Sequence, residues 1–393
     1  MKLDTLDRRT FLGGAGAMIA ASGFGPAARG EGHMVHEVVA AQDVEKPKHS
    51  IKFAVCGIAH DHIHGMIGAI ERGGGAMVAW FGTEPDKVAE FKKRYPKVKM
   101  AANEDEIIHD KEIQLVLTSK LPSERAPLGV RAMLAGKDFL TDKPGITSLA
   151  QLAEVRHTIA KTGRIFAIMY SELLEVKAAV KAGELVKAGA IGKVIQTINI
   201  APHQIMQAGG GDNGGGAQRP EWFWDVANYG GILCDIGSHQ VNQFLFYTGC
   251  TSAEIVESQV SNINHPQHPK FQDFGDMVLR GNKGFGYVRL DWFTPDGLGT
   301  WGDGRLFILG TEGYIEVRKY TNVAVSKQGN NLFIVDKKES RFIDCNNVVL
   351  PFGPQFVEDI VNRTHVAQDQ TQCLLAAELV IKAQMAAKHV VLS

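Results

Sequence analysis

Ile51-Lys52-Phe53-Ala54-Val55-Cys56-Gly57 is a short apolar run that ends on glycine. Apolar almost throughout and without alternation, it suits a strand buried on both faces of a parallel sheet. The same grammar repeats outward. Helical periodicity covers Ile63–Ile70, Pro85–Tyr95, Leu121–Ala135 and Leu149–Thr162, and buried-strand runs fall at Met77–Phe81, Leu115–Thr118, Asp138–Leu140 and Ile165–Met169. Strands alternating with helices predict an α/β fold, with an N-terminal Rossmann-like doubly wound parallel sheet over residues 49–169. Beyond residue 170 the pattern changes. One helix is expected over Glu172–Ala188. Strand-like runs then follow at Val194–Ile200, Ala253–Asn262, Phe274–Leu279, Phe285–Phe293, Arg305–Leu309, Tyr314–Val317 and Val323–Ser326, and helices at Phe356–Val361 and Thr371–Ala387 close the chain. Strand upon strand predicts a C-terminal α+β domain, residues 170–393, with a large, mostly antiparallel open-faced sheet.

Composition limits the function classes. The 393 residues are 45% hydrophobic and 22% charged with a formal net charge of −1, as in an ordinary globular protein. A near-neutral chain gives no electrostatic case for binding nucleic acid or an anionic membrane. The leading segment is read separately from the fold. Arg8-Arg9-Thr10-Phe11-Leu12 precedes a Gly/Ala-rich stretch over Gly13–Gly25, the pattern of a twin-arginine export signal. Residues 1–48 are therefore expected to be export signal and linker, and the mature protein periplasmic or otherwise exported, with no membrane association after signal removal. Five scattered cysteines form no CxxC pair and are expected to be buried thiols.

Two segments carry chemistry. In Gly230-Gly231-Ile232-Leu233-Cys234-Asp235-Ile236-Gly237-Ser238-His239, Asp235 and His239 stand four apart at the start of a predicted helix, on one face. A carboxylate beside an imidazole sets its tautomer and raises its basicity, as proton removal from a hydroxyl requires. In Phe139-Leu140-Thr141-Asp142-Lys143-Pro144, a lysine stands at a strand's carboxyl end. Together these segments resemble the Glu-Lys-Pro and Gly-Gly…Asp-x-Gly-x-His motifs of the Gfo/Idh/MocA oxidoreductase family. Ala188-Gly189-Ala190-Ile191-Gly192-Lys193-Val194 resembles the family's turn into its large sheet, and Leu309-Gly310-Thr311-Glu312-Gly313-Tyr314-Ile315 its late hairpin. The resemblance extends from about residue 50 over most of the chain.

That resemblance implies an NAD(P)-dependent oxidoreductase moving a hydride between a nicotinamide and a hydroxyl-bearing carbon of a sugar, cyclitol or glycoside. His239 would be the base, Asp235 would orient it or bind a substrate hydroxyl, and Lys143 would steady alkoxide charge and anchor substrate or ribose. The resemblance also implies a homo-oligomer. The alternative is a glycosidase that retains NAD and works by transient oxidation and elimination. The third is a non-catalytic sugar-binding relative.

A dinucleotide site needs glycines after the first strand so that the backbone can approach the pyrophosphate. Here that run is Gly57-Ile58-Ala59-His60-Asp61-His62, with Ala59 and His62 where the second and third glycines belong. A histidine there should push the helix from the strand or change the loop. The cofactor candidates are Gly57, Ala59, His60, His62, Thr118, Ser119, Lys143 and Glu84, whose carboxylate after the second strand would bind ribose hydroxyls and favour NAD over NADP. His60, His62 and His64 alternate as metal ligands on a loop can. With no cysteine pair or distant carboxylate evident as a partner, no metal is assigned. The substrate candidates are Tyr170 and Glu172 after the last Rossmann strand, His203, Arg219, Trp222, Trp224, Asp235 and His239, with the Gly209–Gly216 loop as a lid.

Overall fold

The computed structural model describes residues 34–41, 46–205 and 219–392. The twin-arginine segment and the Gly209–Gly216 loop lie outside them. The first half runs β1 (Val35–Val38), β2 (Ile51–Cys56), α1 (His62–Arg72), β3 (Gly75–Phe81), α2 (Pro85–Arg94), β4 (Lys99–Met100), α3 (Glu104–His109), β5 (Leu115–Thr118), α4 (Pro122–Leu134), β6 (Asp138–Asp142), α5 (Leu149–Thr162) and β7 (Phe166–Met169). Strands β2 to β7 form an all-parallel sheet in the order β4-β3-β2-β5-β6-β7. The order reverses between β2 and β5, so the crevice of a doubly wound fold opens beyond their carboxyl ends. The expected alternation missed only short pieces here: β4 and α3 are too brief to carry a period.

The second half runs α6 (Ser171–Leu174), α7 (Lys177–Lys187), β8 (Val194–Pro202), α8 (Val226–Tyr229), α9 (Ile232–Asp235), α10 (Gly237–Thr248), β9 (Ala253–Ser261), β10 (Phe274–Gly281), β11 (Phe285–Asp291), β12 (Arg305–Gly310), β13 (Tyr314–Arg318), β14 (Asn331–Val335), β15 (Ser340–Asp344), α11 (Phe352–Asn362), α12 (Gln370–Ala386) and β16 (Lys388–His389). Ten strands join in the order β1-β15-β14-β13-β12-β8-β11-β10-β9-β16, antiparallel except at β1–β15, β8–β11 and β9–β16. Three expectations fail. The helix over Glu172–Ala188 is broken at Glu175 and Val176. Val323–Ser326 is a turn closed by an Asn322–Ser326 bridge, and the strands β14 and β15 that follow it were missed.

Register gives the large sheet two unlike faces. Met277, Val288, Asn199, Leu306, Val317, Leu332 and Ile343 pair successively across β10 to β15 and are all buried. The next row, Val278, Tyr287, Ile198, Phe307, Glu316, Phe333 and Phe342, is half-buried or exposed. A one-residue slip would exchange the rows, so burial of the first fixes the pairing. All five cysteines are buried and free, as expected.

Candidate active site

The crevice is built from strand ends. Gly57 leaves β2 with φ +97°, and a Cβ there would stand 2.7 Å from Lys120 Cβ, so glycine lets the β2 and β5 loops meet. Ser119 then ties the loops together: its Oγ donates to His60 O at 2.8 Å and accepts from His60 N at 3.3 Å. Thr118 Oγ1 donates to Cys56 O at 2.5 Å. Both hydroxyls are thus spent on holding the loop. Thr118 and Ser119, expected to bind cofactor, hold the loop in this structure. His62 does not push α1 away. It opens the helix with its ring 44% exposed, while Ile63, Met66, Ile67 and Ile70 make the buried face.

From β6 come Asp142 and Lys143. Lys143 Nζ donates to Asp235 Oδ1 at 2.8 Å, joining the parallel-sheet side of the crevice to α9. Gly230 and Gly231 carry the chain into α9 with φ +84° and +86°, a pair of left-handed positions that explains the double glycine. His239 follows in the first turn of α10, 2% exposed, with Nδ1 buried and unbonded. The expected Asp235–His239 couple is not formed: Asp235 spends its carboxylate on Lys143, because α9 ends between the two residues. Burial, reinforced by Lys143, His62 and Lys319, holds the His239 imidazole well below its usual range. It is therefore neutral near pH 7, with its Nδ1 unbonded.

Behind His239 lies a second buried group. Glu172 pairs with Lys319 and accepts from Gln240 Nε2 at 2.8 Å. Burial pushes Glu172 up, but the Lys319 ammonium beside it outweighs this and keeps the carboxyl ionised. Glu172 is thus part of the wall rather than an open substrate contact. Lys319→Met would strand that carboxylate, and urea unfolding should show about 3–5 kcal/mol of lost stability. Lys319→Met with Glu172→Gln should recover most of it. Full stability of the single variant would remove the pair from the account.

Burial also pushes His203 down to about 3, with Lys143 and His239 adding to it against Glu172. The sign for stability follows. An unfolded histidine takes its proton near pH 6.5, but His203 and His239 resist until far lower. The unfolded state therefore binds more protons below 6.5, and stability falls as pH falls. Each should cost about 1.4 kcal/mol per pH unit between 6 and 5. Urea midpoints that stay level from pH 7 to 5 would mean that these imidazoles are not held neutral.

Other expected contacts resolve differently. Tyr170 is fully buried and donates to Cys373 O at 3.2 Å, so it is core, not substrate site. Arg219 donates to Ile205 O and Gln204 O and lies over Phe223 and Trp292, so its guanidinium is spent on the fold. Trp224 stacks on His268 at 3.8 Å. With Trp222, Asp225 and Lys270 they line a surface cavity of about 420 Å³. Among the described contacts, none joins these tryptophans to Lys143 or His239. His203 does sit with the site, against Trp301 and Trp292 and within the field of Glu172 and Lys143. Sequence reading missed Arg125, wholly buried, whose guanidinium donates to Lys143 O and Lys120 O and lies 3.2 Å from Asp142. Nothing in its helical context announces it. Lys319 was missed for the same reason.

A lysine from the end of a strand of the parallel sheet is thus held by a carboxylate from helix α9. This chain belongs to the GFO/IDH/MocA family. Residues 179–316 match the GFO/IDH/MocA C-terminal domain. A solved protein from Erwinia carotovora atroseptica SCRI1043, described as a candidate oxidoreductase, is 43% identical at a TM-score of 0.82, covering 87% of this chain and 100% of that one. A D-xylose dehydrogenase of Paenarthrobacter nicotinovorans is 25% identical over 158 residues, 40% of this chain and 39% of that one. The chain thus matches less than half the length of that curated relative. An aldose-aldose oxidoreductase from Caulobacter crescentus, complexed with glycerol, shares the fold at 18% identity and a TM-score of 0.66, covering 86% of this chain and 98% of that one.

Proposed function

We propose that this protein is an NAD(P)-dependent oxidoreductase acting on a hydroxyl-bearing carbon of a sugar, cyclitol or glycoside. The observation that carries it is the Lys143–Asp235 pair across the mouth of the crevice, with neutral His239 beside it. The residues present fit a dinucleotide. Gly57, at φ +97° and without a side chain, lets the β2 and β5 loops close together at the strand ends where a dinucleotide would lie. Glu84, beyond β3, accepts from Thr83 N at 3.2 Å and has lone pairs left for ribose hydroxyls. His60 and His62 flank the N-terminus of α1 with ring nitrogens in place of glycine amides. When bound, the nicotinamide supplies the hydride chemistry. The protein does the rest. His239 takes the hydroxyl proton, Lys143 places positive charge beside the oxygen that loses it, and Asp235 keeps Lys143 extended into the crevice.

The D-xylose dehydrogenase and the aldose-aldose oxidoreductase among its relatives support a carbohydrate-like substrate. The apolar outer row of the large sheet supports a homo-oligomer, to be checked by light scattering. Export by way of Arg8 and Arg9 is part of the same reading, tested by the compartment of the expressed full chain. The test of function is mass analysis of small molecules released on denaturation, followed by NADH formation with free sugars. Release of NAD(H) and steady NADH accumulation support the reading. Phenol release from aryl glycosides without added cofactor would replace it by the NAD-retaining glycosidase. No nicotinamide released and none bound would leave a sugar-binding relative.

A further inference from the structure

The loop that departs from the glycine signature carries the densest set of metal-type donors in the described chain. His60 Nδ1 lies 3.5 Å from Asp142 Oδ2, and His62 Nδ1 lies 3.0 Å from Asp142 Oδ1. One ligand-type atom from each residue can be chosen so that all lie within 4.8 Å of one another, and no other group of three His, Cys, Asp or Glu among the described residues does this. The carboxylate is the distant partner that the sequence could not show, since β6 brings Asp142 to the end of β2.

We propose that His60, His62 and Asp142 bind a divalent first-row transition ion, such as zinc, cobalt or iron(II). Two imidazoles and one carboxylate form a donor set that suits these ions and leaves coordination positions open. Three observations beyond the clustering support it. Asp142 Oδ2 is buried without a hydrogen bond, in a residue only 1% exposed. The Arg125 guanidinium is already ion-paired to this oxygen through NH2 at 3.2 Å, while its NH1 and Nε donate to Lys143 O and Lys120 O, so an ion here would share Asp142 with that cation. Second, the donors are held in place before any ion arrives. Ser119 grips His60 by both its N–H and its C=O, and Lys143 N donates to Asp142 Oδ1 at 2.8 Å. Third, there is an entry path, because His62 is 44% and His60 27% exposed while Asp142 forms the floor. His64, the remaining member of the sequence cluster, is excluded: its Nδ1 bonds Tyr95 Oη at 3.1 Å and its ring stacks on Phe91.

Binding would replace the proton now shared by His62 and Asp142 with the ion. Asp142 directly precedes Lys143, so an ion held here would lie near the Lys143–Asp235 pair. The loop would then have exchanged a glycine cradle for a cationic one. The site does not rest on the redox reading, since its occupancy is measured without cofactor or substrate.

The test uses the untagged full chain, stripped with chelator and titrated with Co²⁺ alone. The expected result is one ion per chain with visible d–d absorption of an imidazole–carboxylate site. His62→Ala, a change at an exposed side chain, should weaken binding by at least the roughly 10–100-fold that even outer-shell losses cost. Asp142→Asn should do the same, with circular dichroism checking its fold, and His64→Ala should change nothing. Absence of binding, or binding that His62→Ala and His60→Ala leave intact, would overturn the proposal and make the three residues a hydrogen-bonded relay. Co²⁺ binding with no NAD(H) would keep the metal site and reject the redox reading. The reverse result would separate them the other way.

Discussion

His239→Ala is expected to lower kcat by about 10²–10⁴-fold, the range a positioned base contributes. The imidazole stands in the first turn of α10 at 2% exposure, with Tyr170 edge-on at 6.3 Å. Nothing bonds its Nδ1. A structural histidine this deeply buried would be expected to have both ring nitrogens satisfied, so an unspent one facing Lys143's field points to chemistry. Because the proton moves only as the hydroxyl reacts, kcat and kcat/KM should fall together. His239→Gln separates the roles. Glutamine fills much of the same space and offers hydrogen bonds, but takes no proton in this range. It should be as inactive as alanine while unfolding at the wild-type temperature. Turnover within tenfold of wild type in either variant would remove His239 as base, and rescue by glutamine alone would make it a packing residue.

The fold was legible where periodicity is strong and elements are long. β5 and β7 are buried throughout and β2 at every position but Lys52, so their sequences are almost wholly apolar, and the parallel sheet could be read from them. β14 and β15 follow a tight turn, Asn322–Ser326, whose Val323 and Val325 imitate a strand yet are exposed. Local composition could not tell this turn from the strands after it. The site was legible as a set of residues and not as a set of bonds. Lys143 and Asp235 meet, and His239 feels the charge of Lys143, but helical spacing suggested an Asp235–His239 pair. The break between α9 and α10, and a lysine arriving from another sheet, decided otherwise. Arg125 illustrates the limit: it is an ordinary surface-type residue in sequence and a buried anchor in the fold. Tyr170 fails in the opposite direction, since position after a strand suggested the cleft while α12 covers it with Cys373.

Lys143→Met should lower turnover by about 10²–10³-fold, comparable to removing one preorganised donor from a developing oxyanion. It should also destabilise the protein, because Asp235 is only 14% exposed and would lose its cation. These two effects are separable. Lys143→Met with Asp235→Asn removes both charges, so most of the lost stability should return, while activity should not. Asp235→Asn alone leaves Lys143 in place but slack, and a smaller loss is expected, mainly in kcat. Lys143→Arg keeps the charge and can still reach the carboxylate, though its planar fork cannot occupy the position of a compact ammonium. It should therefore fall between wild type and methionine. Equal turnover in the arginine and methionine variants would reject the charge role. Recovery of activity in the neutral double variant would show that Lys143 serves only to neutralise Asp235.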